Sequence, residues 1–350
     1  MSPSNSSTAT SPSNSDATTP LLSSNARLVG SDHSPLETNT LWCAPLQICW
    51  EEMAGYFNGG QTLKNLSESA MVDELNAATF TQDMLSDDHY LSYAGPATYD
   101  AKAQIEQGIT EKFNEKSDIL DQLDWSESEA DALTLLYAML FRQFSFEQPF
   151  EVLDTADFGS EAKANLSHDV AYFGSYDDPI LLEQVRPLFW EDDEHFACQI
   201  WTEQDDVLIL ARGLSGEHFD ALWNDLQKRQ EAQEQALITS SFVCPNLDLK
   251  LQRDYPELAH AALGTHDGQT LEIAQALQTL EFTLDNTGGR IKSEAAIMVE
   301  TAALIDPVEP LACDFVFDDS FVLFVADGAS SGGFYPYMAA QVHDIAEFQS

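Results

Sequence analysis

Two places in this sequence carry side chains whose types and spacing could do chemistry. The first is Gly328 to Gly332, reading GASSG, which fits the Gly-x-Ser-x-Gly turn of a hydrolase with Ser330 as nucleophile. Such a serine needs a helix straight after it, then an acid and a histidine further along. Only His343 and Asp344 follow nearby, and a Gly/Ser hairpin turn explains the same residues more simply. The second place is Glu191 to His195, reading EDDEH, where Asp193 and His195 could ligate a divalent cation. An exposed acidic turn is the commoner meaning of such a run. Asp192 and Asp193 make a poor acid–base pair, because neighbours on a strand face opposite ways. No HExxH, paired CxxC or Gly-rich phosphate loop with its lysine occurs, and the histidines are scattered. The expectation is a protein that is not an enzyme, with no catalytic residue, no metal site and no cofactor.

Composition bounds the rest. At 350 residues and 44% hydrophobic, the chain can bury a large core, and no long low-complexity break divides it after residue 38. One domain over residues 39–345 is expected. Residues 1–38 are rich in Ser, Thr, Asn and Pro, which cannot repay the entropy of ordering, so a disordered tail is expected there. No basic start followed by an apolar run is present, and Leu135 to Phe141 is too short to span a bilayer. That favours a cytoplasmic location, with secretion by another route left open. Five cysteines, odd in number and mostly in apolar contexts, favour buried thiols over a disulfide framework. The formal charge of −44, from 59 acidic and 15 basic residues, excludes nucleic acid and anionic membranes as partners. It fits adaptation to salt or acid, and it would steer a cationic partner inward. A monomer is expected.

The elements that must position a site come from periodicity. In Thr239 to Asp267, Val243, Leu247, Leu249 and Leu251 keep period-two spacing around Pro245, which predicts two strands. Tyr255, Leu258, Ala259 and Leu263 then step at three and four residues into Gly264, which predicts a helix stopped by that glycine. Pro45 suits a first helical position, and Leu46, Cys49, Trp50, Met53 and Phe57 follow as an apolar stripe. Phe219, Leu222, Trp223 and Leu226 predict the apolar face of a helix near Glu217 to Gln235. Two apolar runs on either side of the GASSG turn predict a β-hairpin that a core must cover.

These windows resemble, in order, those of the serpins. Asn39 to Thr62 is similar to the serpin opening strand and helix start, with Ala44 in place of the usual serine cap. In Ser117 to Val152, Ala138, Phe141, Arg142, Pro149 and Phe150 match the buried serpin strand and the Pro-Phe after it. Pro245, Leu249, Leu263, Gly264 and Asp267 match the middle window. Phe315, Asp318 and Phe321, with Tyr337, Ala339 and Val342, approximate the closing pair of strands. The resemblance implies an α+β fold, with helices of the first half packed on a large central β-sheet and smaller antiparallel sheets built from the second half.

The resemblance also implies function: protease inhibition through an exposed bait loop, here within residues 289–313. A target protease cleaves it, and the freed loop enters the central sheet as an extra strand, releasing stored strain. Two registers disagree. Anchoring Gly288 on the family's Glu-Glu-Gly turn makes Gly289, Arg290, Ile291 and Lys292 the hinge and puts the bait bond at Ala302-Ala303. The arginine and lysine would then be costly in a buried face. Anchoring Ser293, Glu294, Ala295 and Ala296 on the family's Thr-Glu-Ala-Ala puts the bond at Asp306-Pro307, where proline resists cleavage. Alternatively, Asn286 to Gly289 is a plain turn and residues 290–304 are an ordinary return strand, which would make a non-inhibitory serpin-fold protein. In that case Trp42, Trp190 or Trp201 could present a ligand surface, although tryptophans are mostly buried.

Overall fold

A computed structural model describes residues 26–291 and 310–349. The chain opens with β1 (Arg27–Val29), β2 (Thr40–Cys43), α1 (Pro45–Asn58), β3 (Lys64–Asn65) and α2 (Ala70–Ala77). β4 (Tyr90–Pro96), α3 (Tyr99–Phe113) and β5 (Thr134–Leu140) follow, then the short strands β6 (Gln143–Ser145), β7 (Glu151–Val152), β8 (Ala156–Phe158), β9 (Ser167–Val170) and β10 (Tyr172–Ser175). After α4 (Pro179–Glu183) comes a meander of β11 (Val185–Asp192), β12 (His195–Trp201) and β13 (Asp206–Arg212), and then α5 (Phe219–Ala232). The last described elements are β14 (Leu237–Pro245), β15 (Leu247–Asp254), β16 (Ala262–Gly264), β17 (Thr270–Glu272), β18 (Leu277–Asp285), β19 (Gly288–Ile291), β20 (Leu311–Val316), β21 (Phe321–Asp327) and β22 (Pro336–Val342).

The architecture is α+β, as expected. The largest sheet has seven strands in the order β1-β2-β22-β21-β13-β12-β11. Its middle strands β13 and β21 are buried at every position, which their apolar runs VLILA and FVLFVA require. The predicted closing hairpin is present, with Phe321 opposite Val342. Helix α5 covers this sheet with the expected face, Phe219, Leu222, Trp223 and Leu226, and the Trp223 ring meets Phe324 edge-on at 5.3 Å. A four-stranded sheet, β20-β14-β10-β7, lies beside it. A second, β15-β18-β19-β6, and the separate pair β4-β5 flank the candidate site.

Two expectations fail. Residues 255–264 form no helix: Pro256 to His260 are turns, and Gly264 ends strand β16, which pairs with β17 and β3. Tyr255, Leu258 and Leu263 are buried in one small cluster with Trp50 and Met71, so the helical spacing was met by a turn instead. His260 takes a positive φ of 65° and donates its N–H to the Ile273 carbonyl, which a helix does not allow. The folded chain also begins before residue 39. β1 pairs in parallel with β2, and buried Asp32 accepts the N–H groups of Thr79 and Phe80 and the hydroxyl of Tyr335. Polar residues that look like tail are buried here because their hydrogen bonds are satisfied. Residues 1–25 lie outside the described residues.

Candidate functional site

β4 and β5 pair antiparallel from Tyr90 opposite Leu140 to Pro96 opposite Thr134. Both faces of β5 are covered. Leu135, Tyr137 and Met139 pack with Ile105 and Ile109 of α3, while Ala138 and Leu140 turn to the main core. The far edge of β5 has no strand partner among the described residues. β18 is paired with β15 along its whole length, from Leu247–Leu284 to Asp254–Leu277. On its other edge, β19 covers only Phe282 to Asp285. β19 is antiparallel to both β18 and β6, so β5, continuing into β6, runs parallel to β18. Between β5 and residues 277–281 lies a lane with no described strand in it, closed at one end by β19. A cavity of about 640 Å³ occupies it. The stripe on α1 read from the sequence, with Leu46, Cys49, Trp50 and Met53, lines this cavity, as do Ile119 and Leu123 from the α3–β5 connection.

The expected bait loop follows a tight hairpin. Asp285 opposite Gly288 closes a two-residue hairpin in which Asp285 Oδ1 accepts the N–H and hydroxyl of Thr287 at 2.7 and 2.6 Å. Gly288 has φ 144°, and a Cβ there would sit 2.1 Å from the Phe144 carbonyl oxygen. A Cβ on Gly289 would meet the Phe144 ring at 2.5 Å. Gly288 and Gly289 are therefore strand residues whose size is fixed by close approach to β6, so the turn expected over Asn286 to Gly289 is confined to Asn286 and Thr287, and of the return strand expected over 290–304 only Arg290 and Ile291 are described, both in β19. The expected cost of Arg290 is not incurred. Its guanidinium stays one-third exposed, pairs with Glu281 at 2.9 Å and Glu115 at 2.8 Å, and lies 5.4 Å from the Phe141 ring centre. Lys292, Ser293, Glu294, Ala295, Ala296, Ala302, Ala303, Asp306 and Pro307 lie outside the described residues.

At the closed end of the lane is a buried polar cluster that sequence reasoning did not single out. Arg142, just after β5, gives Asp206 two hydrogen bonds at 2.6 and 2.5 Å, and both side chains are fully buried. Tyr337 donates its hydroxyl to the same carboxylate at 2.8 Å. Burial outweighs the opposing pull of Arg142 and Tyr337 and pushes the Asp206 carboxyl up to about 6. Beside it, His89 Nδ1 lies 3.0 Å from Asp327, which also accepts the N–H and hydroxyl of Ser86. Burial opposes ionisation of Asp327, but His89 and Ser86 outweigh it and hold the carboxyl below its usual range. Burial likewise lowers His89. The only sequence signal was charge inside apolar runs, at Arg142 and Asp327.

The other candidates come apart. Ser330 donates to the Asp83 carbonyl oxygen at 3.0 Å, and strand β22 follows it where an elbow needs a helix. His343 contacts Ser320 Oγ at 2.8 Å rather than Ser330. Asp192 and His195 pair at 2.7 Å in an exposed turn, and the described residues hold no group of three metal-ligating side chains. Trp42 is fully buried, Trp190 stacks on Phe196 at 5.1 Å, and Trp201 is packed against the main core, so none stands in an open cleft. All five cysteines are free, and burial pushes the Cys43 and Cys49 thiols up to about 12. No described helix is long and apolar enough to cross a membrane.

No family model matches the sequence, and no curated protein matches it. Solved structures similar to the chain include a highly specific serpin of the insect Tenebrio molitor, at 12% identity, covering 88% of this chain and 92% of that one with a TM-score of 0.43. Thyroxine-binding globulin in complex with thyroxine aligns at 11% identity over 88% and 93%, with a TM-score of 0.48. The thermophilic serpin tengpin in its native state aligns at 12% identity over 89% and 90%, with a TM-score of 0.46. The opening strand and helix and the closing pair of strands are among the parts that the serpin resemblance implied, within the α+β architecture expected.

Proposed function

We propose that the chain is a serpin-like inhibitor that traps a protease by taking a strand into the lane between β5 and β18. The observation that carries this reading is the pair of parallel edges, unpaired among the described residues, with β19 already seated between them at one end. An added strand would complete both hydrogen-bond ladders and fill the cavity, so its entry lowers the free energy. Each step along β19 moves one residue back along β18. Since Ile291 faces Phe282, a strand continuing in that register would bring residue 293 opposite Leu280 and residue 296 opposite Leu277. The seating of Gly288 as the first strand residue favours the register anchored there, with Ala302-Ala303 as bait bond and Asp306-Pro307 as the weaker choice. Small residues at that bond suit an elastase-like or subtilisin-like partner.

Incubation with such a protease should give a covalent complex that survives boiling in detergent, with cleavage mapped to Ala302-Ala303. Thermal melting before and after limited nicking should show a large rise once the loop is cut. Simple cleavage without a complex, and with an unchanged melt, would refute trapping. The Asp285–Gly288 hairpin and the ion pairs of Arg290 favour a second reading, a non-inhibitory serpin-fold protein in which β19 is a permanent strand. That reading predicts the unchanged melt.

A further inference from the structure

Asp206 and Asp327 sit directly opposite each other across β13 and β21. Two buried carboxylates in that position repel one another and are costly to desolvate. Besides the Tyr337 hydroxyl on Asp206 and the Ala329 N–H on Asp327, their polar contacts come from the flanks of one strand pair. Arg142 lies immediately after β5, and Ser86 and His89 lie immediately before β4, with the Phe141 N–H bonded to the His89 carbonyl oxygen. Both sequence flanks of the β4–β5 pair therefore converge on two neighbouring carboxylates of the seven-stranded sheet. Elsewhere the pair is held mainly by apolar packing against α1 and α3, which is non-directional, with the half-exposed polar contacts of Ser92 to Glu52 and of Lys112 to the Tyr90 carbonyl beside it. Beyond the β6–β19–β18 pairing at one end, no β-pairing links it to β18 among the described residues. Directional buried polar contacts are the kind that specify position more than they add stability.

We propose that Asp206 and Asp327 form a berth that fixes where the β4–β5 pair sits, so that Arg142 and His89 are positioning residues that set the width of the lane. It rests on the lane being the working site only for its consequence, since its test needs no protease. Tyr337 is part of the berth because it holds Asp206 from β22. Asp205 and Asp88 are the other carboxylates near the cluster, and neither replaces the two direct contacts.

Hydrogen exchange on the full chain tests this. Arg142→Met and His89→Asn are compared with Trp223→Leu, which loosens α5 against the same sheet at a distance from the berth. In the two berth variants, amides of residues 90–96 and 134–140 should exchange about tenfold faster or more, the change expected from losing one charge-assisted hydrogen bond. Residues 219–232 should keep their protection. Trp223→Leu should give the reverse pattern. Equal loss of protection in all three proteins, or unchanged exchange of β4 and β5 in the berth variants, would overturn the proposal. If Arg142→Met does not fold, His89→Asn and Tyr337→Phe carry the same comparison.

Discussion

Replacing Arg142 by Met should produce a stability loss that appears only above a particular pH. In the native protein, burial raises the Asp206 carboxyl to about 6 despite the paired guanidinium. A carboxyl raised in the folded state contributes stability that is present below about pH 4 and is lost as pH rises through its folded value. Each pH unit between the unfolded and folded values costs about 1.4 kcal/mol. The native protein stops losing stability from this group near pH 6, because Asp206 then ionises and Arg142 is there to receive the charge. Without Arg142 the carboxyl has only the Tyr337 hydroxyl, its folded value moves higher still, and the loss continues. The two proteins should therefore run parallel from pH 4 to 6 and diverge above it, by about 1.4 kcal/mol at pH 7 and nearly 3 kcal/mol at pH 8. Urea unfolding at each pH, with slopes checked for equality, measures the difference directly. A gap that is constant with pH, or one that widens towards acid, would refute the assignment of a buried ion pair.

Gly288→Ala should unseat β19, because the added methyl falls 2.1 Å from a backbone oxygen at a φ of 144°. A cost of about 1–3 kcal/mol is expected, with faster amide exchange at residues 282–285; unchanged exchange there would count against the close approach. A net charge of −44 should make the folded state gain stability as salt rises from about 0.05 M to 1 M, since screening relieves self-repulsion. Melting temperatures across that range check it, and a flat or falling curve would show that the charges are already compensated locally.

Much of the frame was legible because it rests on period and turn chemistry. The alternation at Leu247, Leu249 and Leu251 and the face of α5 each bury one side of a regular element, whereas on α1 only Trp50 of the expected stripe is buried, with Gln47 and Ile48, and the rest of the stripe lines the cavity. Tyr255 to Leu263 misled for the same reason, since three buried residues at helical spacing also fit a proline turn running into a strand. Ser31, Asp32 and Ser34 were missed because burial of polar groups depends on partners far along the chain, here Glu74, Thr79, Phe80 and Tyr335. The lane itself has no sequence signature. An unpaired edge is defined by the strand that is not beside it, and only the registers of β18, β19 and β6 reveal it.

That difference bears on how the site would work. Apolar β-strands with both faces covered and one edge open are a liability, because an unpaired ladder invites any extended segment. Here β5 and β18 run parallel, with β19 alone between β18 and the β6 continuation of β5 at one end among the described residues, an arrangement suited to a strand paired on both sides. β19 already holds the first position of that strand and fixes its direction and register. A segment attached to Ile291 therefore meets the lane at a far higher effective concentration than any free chain could. The berth at Asp206 and Asp327 matters because this advantage lasts only while the lane keeps its width. If β5 closes on β18 the acceptor is lost, and if it drifts away an inserted strand can pair on one side alone.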